Sequence, residues 1–537
     1  MSKQSKVKNS IVLSGLVGTG GLFVAKLIGI VYAIPFSSIL GSSEYMGFYG
    51  QAYNIYSYVL NVFTAGFPFA IATIIAKYSV LKDYKTVLLV KKVAISMMTL
   101  LGFCGMVLMM AFSGVLAPLM VASHPEIMAN VLRLLAIALF FVPVLSAFRG
   151  YYQGLKEMEE YAFSQAFEQV FRVGFLLSAA CLIVYVLGIE RKWALYTSVL
   201  STSIAAIAGI LQIVHFDHKK TKEIELEAKG HKAQLKTKEI LKELVILAVP
   251  YLISSILGYS QSLYNSILLP TGLKMFYSST KEISSILSAT TYVGVKMTAI
   301  PMVLAPGFTA AIIPHITSAL TENNKKLVRK NVLDCLNVVI YIGLPVAFCL
   351  FVYSEPLNYT LFYTDQLDIS TMVLQWLTIE AITGFLMPVV TNLMMALKLQ
   401  SKIIVRLGIN AVVKGILMVP LTAMMGFGGA VIAALIADGY LILSSLRQIS
   451  HAYGIKYKKV INVTIRVCVG LLVLWAVSTL LTKLGLGGVD SGKLVAFIKM
   501  CINGCISMLA FVVVSIFLKL PQMTFHINVM DLLRRNR

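Results

Sequence analysis

Apolar runs of about 20 residues recur along this chain almost from end to end, and that recurrence limits its fold more than any other feature. Each run is long enough to cross the ~30 Å hydrocarbon core of a bilayer as a helix. Only 13% of the 537 residues are charged, about half the share in a soluble domain. The runs lie near residues 11–34, 51–76, 91–114, 130–148, 164–188, 194–216, 243–269, 287–314, 334–353, 371–396, 403–425, 427–450, 462–483 and 494–518. The chain therefore reads as an all-α polytopic membrane protein with fourteen transmembrane helices. No secretory cleavage pattern follows the first run, which is kept as a helix of the mature protein.

The formal charge of +22 invites a nucleic-acid reading, and its distribution argues against one. Residues at the span ends are counted here with their loops. On that basis the N-terminus, the C-terminus and the loops on their side hold 32 of the 46 lysines and arginines, against 6 on the opposite side. The positive-inside rule then places both termini in the cytoplasm of a multi-pass plasma-membrane protein. The basic excess signals topology and affinity for anionic lipid, not nucleic acid.

The longest hydrophilic stretch, 217–242, is rich in Lys and Glu and reads as a cytoplasmic, solvated linker with some helix. It separates an N-terminal six-helix lobe (1–216) from a C-terminal one (243–450). Residues 451–537 carry helices thirteen and fourteen and a basic tail. The seven cysteines fall in or beside apolar runs, where core packing is the expectation, and no spacing suggests a metal site.

A weak internal repeat supports the two lobes. At an offset of 241 residues, Gly66, Phe67, Ala70, Ile71, Ile75, Lys85 and Val87 meet Gly307, Phe308, Ala311, Ile312, Ile316, Lys326 and Val328. At an offset of 242, Glu168 meets Asn410 and Arg172 meets Lys414, each pair one helical turn apart in the fifth span of its lobe. Halves that start on the same side are related by a pseudo-twofold axis along the membrane normal. This arrangement is common in transporters with a midplane site.

Charges inside spans need a reason, since a central Lys or Arg costs ~2.5–3.5 kcal/mol on insertion scales. Arg133, Arg406, Arg466 and Lys499 lie near span ends, where their side chains reach the interface. Lys26 and Lys296 do not; each lies roughly nine residues, or ~13 Å, from the outward end of its span. Two ammonium groups at matching depth suit an anionic substrate group such as a diphosphate. Separate pairing with carbonyls or acids of other helices is the alternative.

Glu168 and Arg172 either neutralise each other across one turn or meet substrate. Lys414 has only Asn410 on its own helix. Glu380 and Asp438 are further polar points, read as helix-to-helix hydrogen bonding or as proton sites. Prolines within spans, Pro68, Pro301 and Pro314 among them, suggest kinked helices along a route.

FRGYYQG (148–154), followed by SQAFEQVFRV, resembles the signature of the MurJ/SpoVB-like, polysaccharide-exporting branch of the multidrug/oligosaccharidyl-lipid/polysaccharide (MOP) superfamily. AKLIGIVYAIPFSSILG (25–41), GFPFAIATIIAKYSVLKDYKTV (66–87) and VKMTAIPMVLAPGFTAAIIP (295–314) resemble other segments of that branch, and the likeness covers spans one to twelve. It implies that spans one and eight line a cationic cavity for a diphosphate–sugar headgroup, with Lys26 and Lys296 touching substrate. It also implies that 462–518 form a groove for a polyprenyl tail. Some relatives carry further bases where this chain has Tyr32 or Ala33, and Leu60, so the cavity here is less cationic.

FRGYYQG itself follows span four on the cytoplasmic side. Arg149 reads there as a positive-inside anchor, and Tyr151 and Tyr152 as interfacial rings. Gly150 and Gly154 allow a tight turn or close helix approach, so Arg149, Gly150, Gln153 and Gly154 are expected to shape an inner gate.

The expected function is that of a flippase, a monomeric transport unit carrying an undecaprenyl-diphosphate-linked cell-wall precursor, with lipid II first and teichoic, capsular or spore-cortex precursors as alternatives. No cofactor or metal is expected, and membrane potential or an ion gradient would drive it. A drug/cation antiporter of the same fold is disfavoured because the first span has a lysine and no acid. A membrane enzyme is disfavoured because acids and histidines do not gather on a substantial loop.

Overall fold

The computed structural model describes residues 28–228, 233–487, 489 and 491–526, with the backbone alone at 219–220 and 303–315. Among the described residues twelve helices are long and apolar enough to cross a membrane, and there is no strand. The other two expected spans fall at 11–34, mostly outside the described residues, and at 287–314. There a π-helical turn, Ala289–Gly294, leads into the α-helix Val295–Thr321. Lys26 lies outside the described residues.

Local signals set the helix ends. Helix α1 (Ala33–Leu40) stops at Gly41 in the left-handed region. The Ser42 side chain then accepts from the Tyr45 amide to start α2 (Ser43–Thr64). Gly66, at φ 83°, separates α2 from α3 (Phe67–Val80), and Pro68 stands in the first turn of α3. Asp83 caps α4 (Tyr84–Met120) by accepting from the Thr86 amide at 3.0 Å. Pro125 opens α5 (Pro125–Gly154), which is followed by α6 (Met158–Cys181), α7 (Arg191–Glu227) and α8 (Thr237–Gly258).

The chain divides into two compact units, Met1–Pro270 and Thr271–Arg537. In the first, α5 packs on α2, α3, α4 and α7. Its core includes Ile71, Ile75, Val90, Leu145, Tyr151, Tyr152 and Leu244. Helices in lipid gain little from hydrophobicity and pack by letting small residues approach closely. The repeat assigns α8 to the second lobe, yet it packs here on α2 and α3. Gly66 permits that contact, since a Cβ there would lie 2.6 Å from the Ala248 carbonyl oxygen.

The second unit holds α9 (Val295–Thr321), α10 (Lys325–Val352), α11 (Leu367–Ala396), α12 (Gln400–Met425), α13 (Phe427–Tyr453), α14 (Lys458–Leu481) and α15 (Lys493–Phe517). Helix α11 is surrounded by α9, α10, α12 and α13, while α14 pairs with α15 and leans on α10. The Tyr341 hydroxyl, 3.0 Å from that of Ser515, ties the last pair down. Leu472, Trp475, Leu494, Leu509 and Phe517 point outward as a lipid-facing apolar surface.

Two expectations need correction. Of the cysteines, Cys335 is buried, but Cys104, Cys468, Cys501 and Cys505 lie on exposed faces, where lipid replaces a protein core. The 217–242 stretch is not simply a solvated linker. Helix α7 runs on to Glu227, Asp217 is buried, and the Gln234 amide donates to Asp83 Oδ2 at 3.1 Å.

Candidate functional site

The FRGYYQG motif forms the last two turns of α5, not a turn of its own. A Cβ on Gly150 would lie 2.8 Å from the Pro68 carbonyl oxygen, and one on Gly154 2.8 Å from that of Ala72. The two glycines therefore seat α5 on α3, one helical turn apart. Tyr151 and Tyr152 are 0% and 1% exposed, so they are core residues rather than interfacial rings. The Lys91 ammonium sits 4.9 Å from the Tyr151 ring centroid and pairs with Asp217, which also accepts from the Tyr152 hydroxyl at 3.2 Å. Gln153 alone of the motif's polar residues faces outward.

Arg149 is likewise not a free interfacial anchor. Its guanidinium pairs with Glu168 at 2.7 Å and donates to the Ser164 carbonyl at 2.9 Å. The counter-ion of Glu168 in the middle of α6 thus comes from the preceding helix. Glu168 and Arg172, read either as neutralising each other or as meeting substrate, make no direct ion pair among the described residues. Arg172 lies in electrostatic range of Tyr32, Tyr49 and Tyr53 as well as Glu168, and the Tyr32 and Tyr49 hydroxyls are 3.1 Å apart. Its Nε, together with Gln165 Oε1 and Gln169 Nε2 on the same helix face, has no hydrogen-bond partner among the described residues. Among the described residues this network combines the guanidiniums of Arg149 and Arg172 with the carboxylate of Glu168.

In the second unit the equivalent helix carries the opposite balance. Lys414, 4% exposed, places Nζ 3.4 Å from Glu380 Oε1 on α11 and 3.9 Å from Asp438 Oδ2 on α13. Asn410 does not serve Lys414; its amide donates to Asp438 Oδ1 at 2.8 Å. The Thr383 hydroxyl lies 2.9 Å from the Glu380 carbonyl oxygen and 3.2 Å from Asp438 Oδ2. Each acid stood out in the sequence as an in-span charge, but nothing in the spacing showed that α11 and α13 would bring both to one lysine.

Lys296 stands in the first turn of α9, half-buried and engaged in an interaction of its own. The π-turn before it presses Gly294 against α11, where a Cβ would lie 2.2 Å from Leu377 Cδ1. Pro301 is buried further along α9, and Pro314 falls where only the backbone is described.

A feature the sequence did not signal is a cavity of about 430 Å³ where α14 and α15 meet the end of α10, lined by Tyr353, Glu355, Gln375, Trp475, Thr482 and Asn503 among others. The Asn503 amide holds it together, accepting from the Tyr353 hydroxyl at 2.8 Å and donating to Thr482 at 3.2 Å. Polar groups thus interrupt the apolar pair read as a tail groove. No group of His, Cys, Asp and Glu suited to a metal ion occurs among the described residues.

Comparison with known proteins places this arrangement. The family model described as "Polysaccharide biosynthesis protein" matches residues 8–320. Lipid II flippase MurJ of Bacillus subtilis (strain 168) is 29% identical over 463 residues, covering 83% of this chain and 84% of that protein. A solved structure of a lipid II flippase MurJ in an inward closed conformation superposes with TM-score 0.67 at 15% identity, over 94% of this chain and 99% of that one. An inward-facing MATE family multidrug resistance transporter of the MOP superfamily gives 0.62 at 17% identity, over 80% and 95%. At these identities the two structures show a shared fold.

Proposed function

Since the chain belongs to the polysaccharide biosynthesis protein family, as a MurJ/SpoVB-like member of the MOP superfamily, we propose that it is a flippase for an undecaprenyl-diphosphate-linked cell-wall precursor. Lipid II is the first choice of substrate. The observation that carries this is the likeness to the Bacillus subtilis lipid II flippase over most of both chains. The diphosphate is bound by Lys26 and Lys296, because an ammonium in a low-dielectric site recognises phosphate oxygens strongly. The tail stays in lipid along 462–518, and the headgroup is exposed to the two sides in turn. Both termini lie in the cytoplasm, and the transport unit is a monomer. The inward-negative membrane potential returns the emptied, still cationic site toward the cytoplasm.

The test is depletion of the protein, followed by identification of the lipid-linked precursor that accumulates on the cytoplasmic leaflet. Accumulation of lipid II is the expected result. Accumulation of a teichoic, capsular or spore-cortex precursor reassigns the substrate. Unchanged precursors with altered drug susceptibility support drug export instead.

A further inference from the structure

The cavity of about 430 Å³ where α14 and α15 meet the end of α10 has no part in the proposed transport chemistry. Its size falls in the ~300–1,000 Å³ range of small-molecule sites. Asn503, 1% exposed, braces it. Its Oδ1 accepts from the Tyr353 hydroxyl at 2.8 Å and from the Ser507 hydroxyl at 3.2 Å. Its Nδ2 donates to Thr482 at 3.2 Å and lies 3.3 Å from the carbonyl oxygens of Ser478 and Leu486. Both amide atoms are thus used within the protein, which fixes the shape of the cavity and leaves binding to other groups.

Three lining groups are left over. The Trp475 indole N–H, the Gln375 amide and the Glu355 carboxylate have no side-chain hydrogen bond or ion pair among the described residues. Trp475 is 54% exposed, Glu355 is exposed and Gln375 is half-buried. Together they offer donors and acceptors in one place. A sugar answers both, since each hydroxyl donates and accepts, and its ring has an apolar face that suits an indole. A phosphate brings negative charge against Glu355, and no Lys or Arg lines the cavity among the described residues. An ammonium group brings donors only and leaves the indole and amide N–H groups unanswered. Gly488 and Asp490, which flank Val489 in the chain, lie outside the described residues, and neither type carries a positive charge.

The helix face that leads to the cavity shows what carries the sugar. Ile465, Cys468, Leu472, Trp475, Thr479 and Thr482 recur at steps of three and four, so they share one face of α14 and the turn after it. The first three are exposed on the lipid-facing surface, and the last three line the cavity. One stripe thus passes from hydrocarbon contact to polar groups, the pattern an amphiphile requires.

We infer that this cavity binds the uncharged sugar headgroup of a resident glycolipid, a hexose on diacylglycerol, and not the diphosphate-linked lipid that is transported. Trp475 stacks on the sugar ring, Gln375 and Glu355 bind its hydroxyls, and the acyl chains lie along the stripe. Because Glu355 and Gln375 come from beside α10 and from α11, the headgroup bridges these helices to α14. On the topology proposed above, with Lys458 and Lys459 at the cytoplasmic end of α14, the site lies in the outer leaflet.

The site is tested without transport, so its failure and that of the flippase reading are distinguishable. Full-length protein is placed in phosphatidylcholine nanodiscs with rising fractions of monoglucosyl-diacylglycerol, and tryptophan fluorescence is recorded. A saturable change is expected in the wild type and is absent from Trp475→Phe, which keeps Trp193 and Trp376. Glu355→Ala/Gln375→Ala raises the half-saturating fraction about tenfold, as two lost hydrogen bonds require. Diacylglycerol, phosphatidylglycerol and phosphatidylethanolamine give no saturable change, and lipid II does not shift the midpoint for the glucosyl lipid. The proposal is overturned by no saturable change in the wild type, or by an equal response to any of the three control lipids. Persistence of the change in Trp475→Phe, an unmoved midpoint in the double variant or displacement by lipid II also overturns it. The comparison of lipids on the wild type keeps the test decisive where a variant does not fold.

Discussion

The two units solve one problem in opposite ways. Each buries a polar network on the fifth helix of its repeat, and the repeat equates Arg172 with Lys414 and Glu168 with Asn410. In the first unit the carboxylate stays on that helix and two guanidiniums surround it, from Arg149 and Arg172. In the second the carboxylates have moved to the neighbouring helices α11 and α13, and one ammonium answers both. Guanidinium keeps its charge at any physiological pH, whereas carboxylates and lysine exchange protons. The first network is built mainly on guanidiniums, and the second on one ammonium facing two carboxylates of other helices.

That contrast ranks the expected effects of substitution. Lys414→Met removes the cation that lies between buried Asp438 and partly buried Glu380 and should cost about 3–5 kcal/mol, the range for breaking one side of a buried pair. Thermal melting in detergent or nanodiscs measures it, and a Lys414→Met/Glu380→Gln double variant should recover part of the loss. Gly150→Ala and Gly154→Ala leave every charge in place but push α5 off α3, with an expected cost of about 1–3 kcal/mol each. Arg172→Gln, the repeat counterpart of the first change, should cost only about 1 kcal/mol because Glu168 keeps Arg149. An equal loss from Arg172→Gln and Lys414→Met would break the comparison.

The smallest effect lies outside both networks. His124 is half-exposed beside Glu44, whose carboxylate 2.9 Å away raises the imidazole above its ordinary value. A raised value in the folded state means the contact is fully present below about pH 6.5 and fades as pH rises through the raised value. Glu44→Gln should therefore lower the melting temperature slightly at about pH 6 and not at about pH 9, by no more than about 0.5 kcal/mol at so exposed a site.

Twelve of the expected spans were legible in the sequence because lipid imposes a length and a composition that no local propensity can override. In-span charges were legible for the same reason, which is why Glu168, Arg172, Glu380, Lys414 and Asp438 all stood out. Their partners did not. Pairing of Arg149 with Glu168, or of Lys414 with Glu380 and Asp438, depends on how helices cross, and one sequence carries no record of crossing. FRGYYQG was misread for a related reason. Its arginine and tyrosines match interfacial chemistry residue by residue, while its glycines allowed either a tight turn or the close helix approach that is found. Only the packing of α5 on α3 shows that Tyr151 and Tyr152 are buried and that Gly150 and Gly154 are contact points within a helix. The cavity beside Asn503 joins elements far apart along the chain and left no local signature.

The proposal at the centre of this account is that the chain moves a diphosphate-linked lipid using Lys26 and Lys296. Its most direct test is the transbilayer movement of labelled lipid II in proteoliposomes, comparing wild type with Lys26→Gln/Lys296→Gln. The account predicts movement with the wild type and its loss in the double variant. Movement unchanged by neutralising both lysines, or none with correctly inserted wild-type protein, would contradict it.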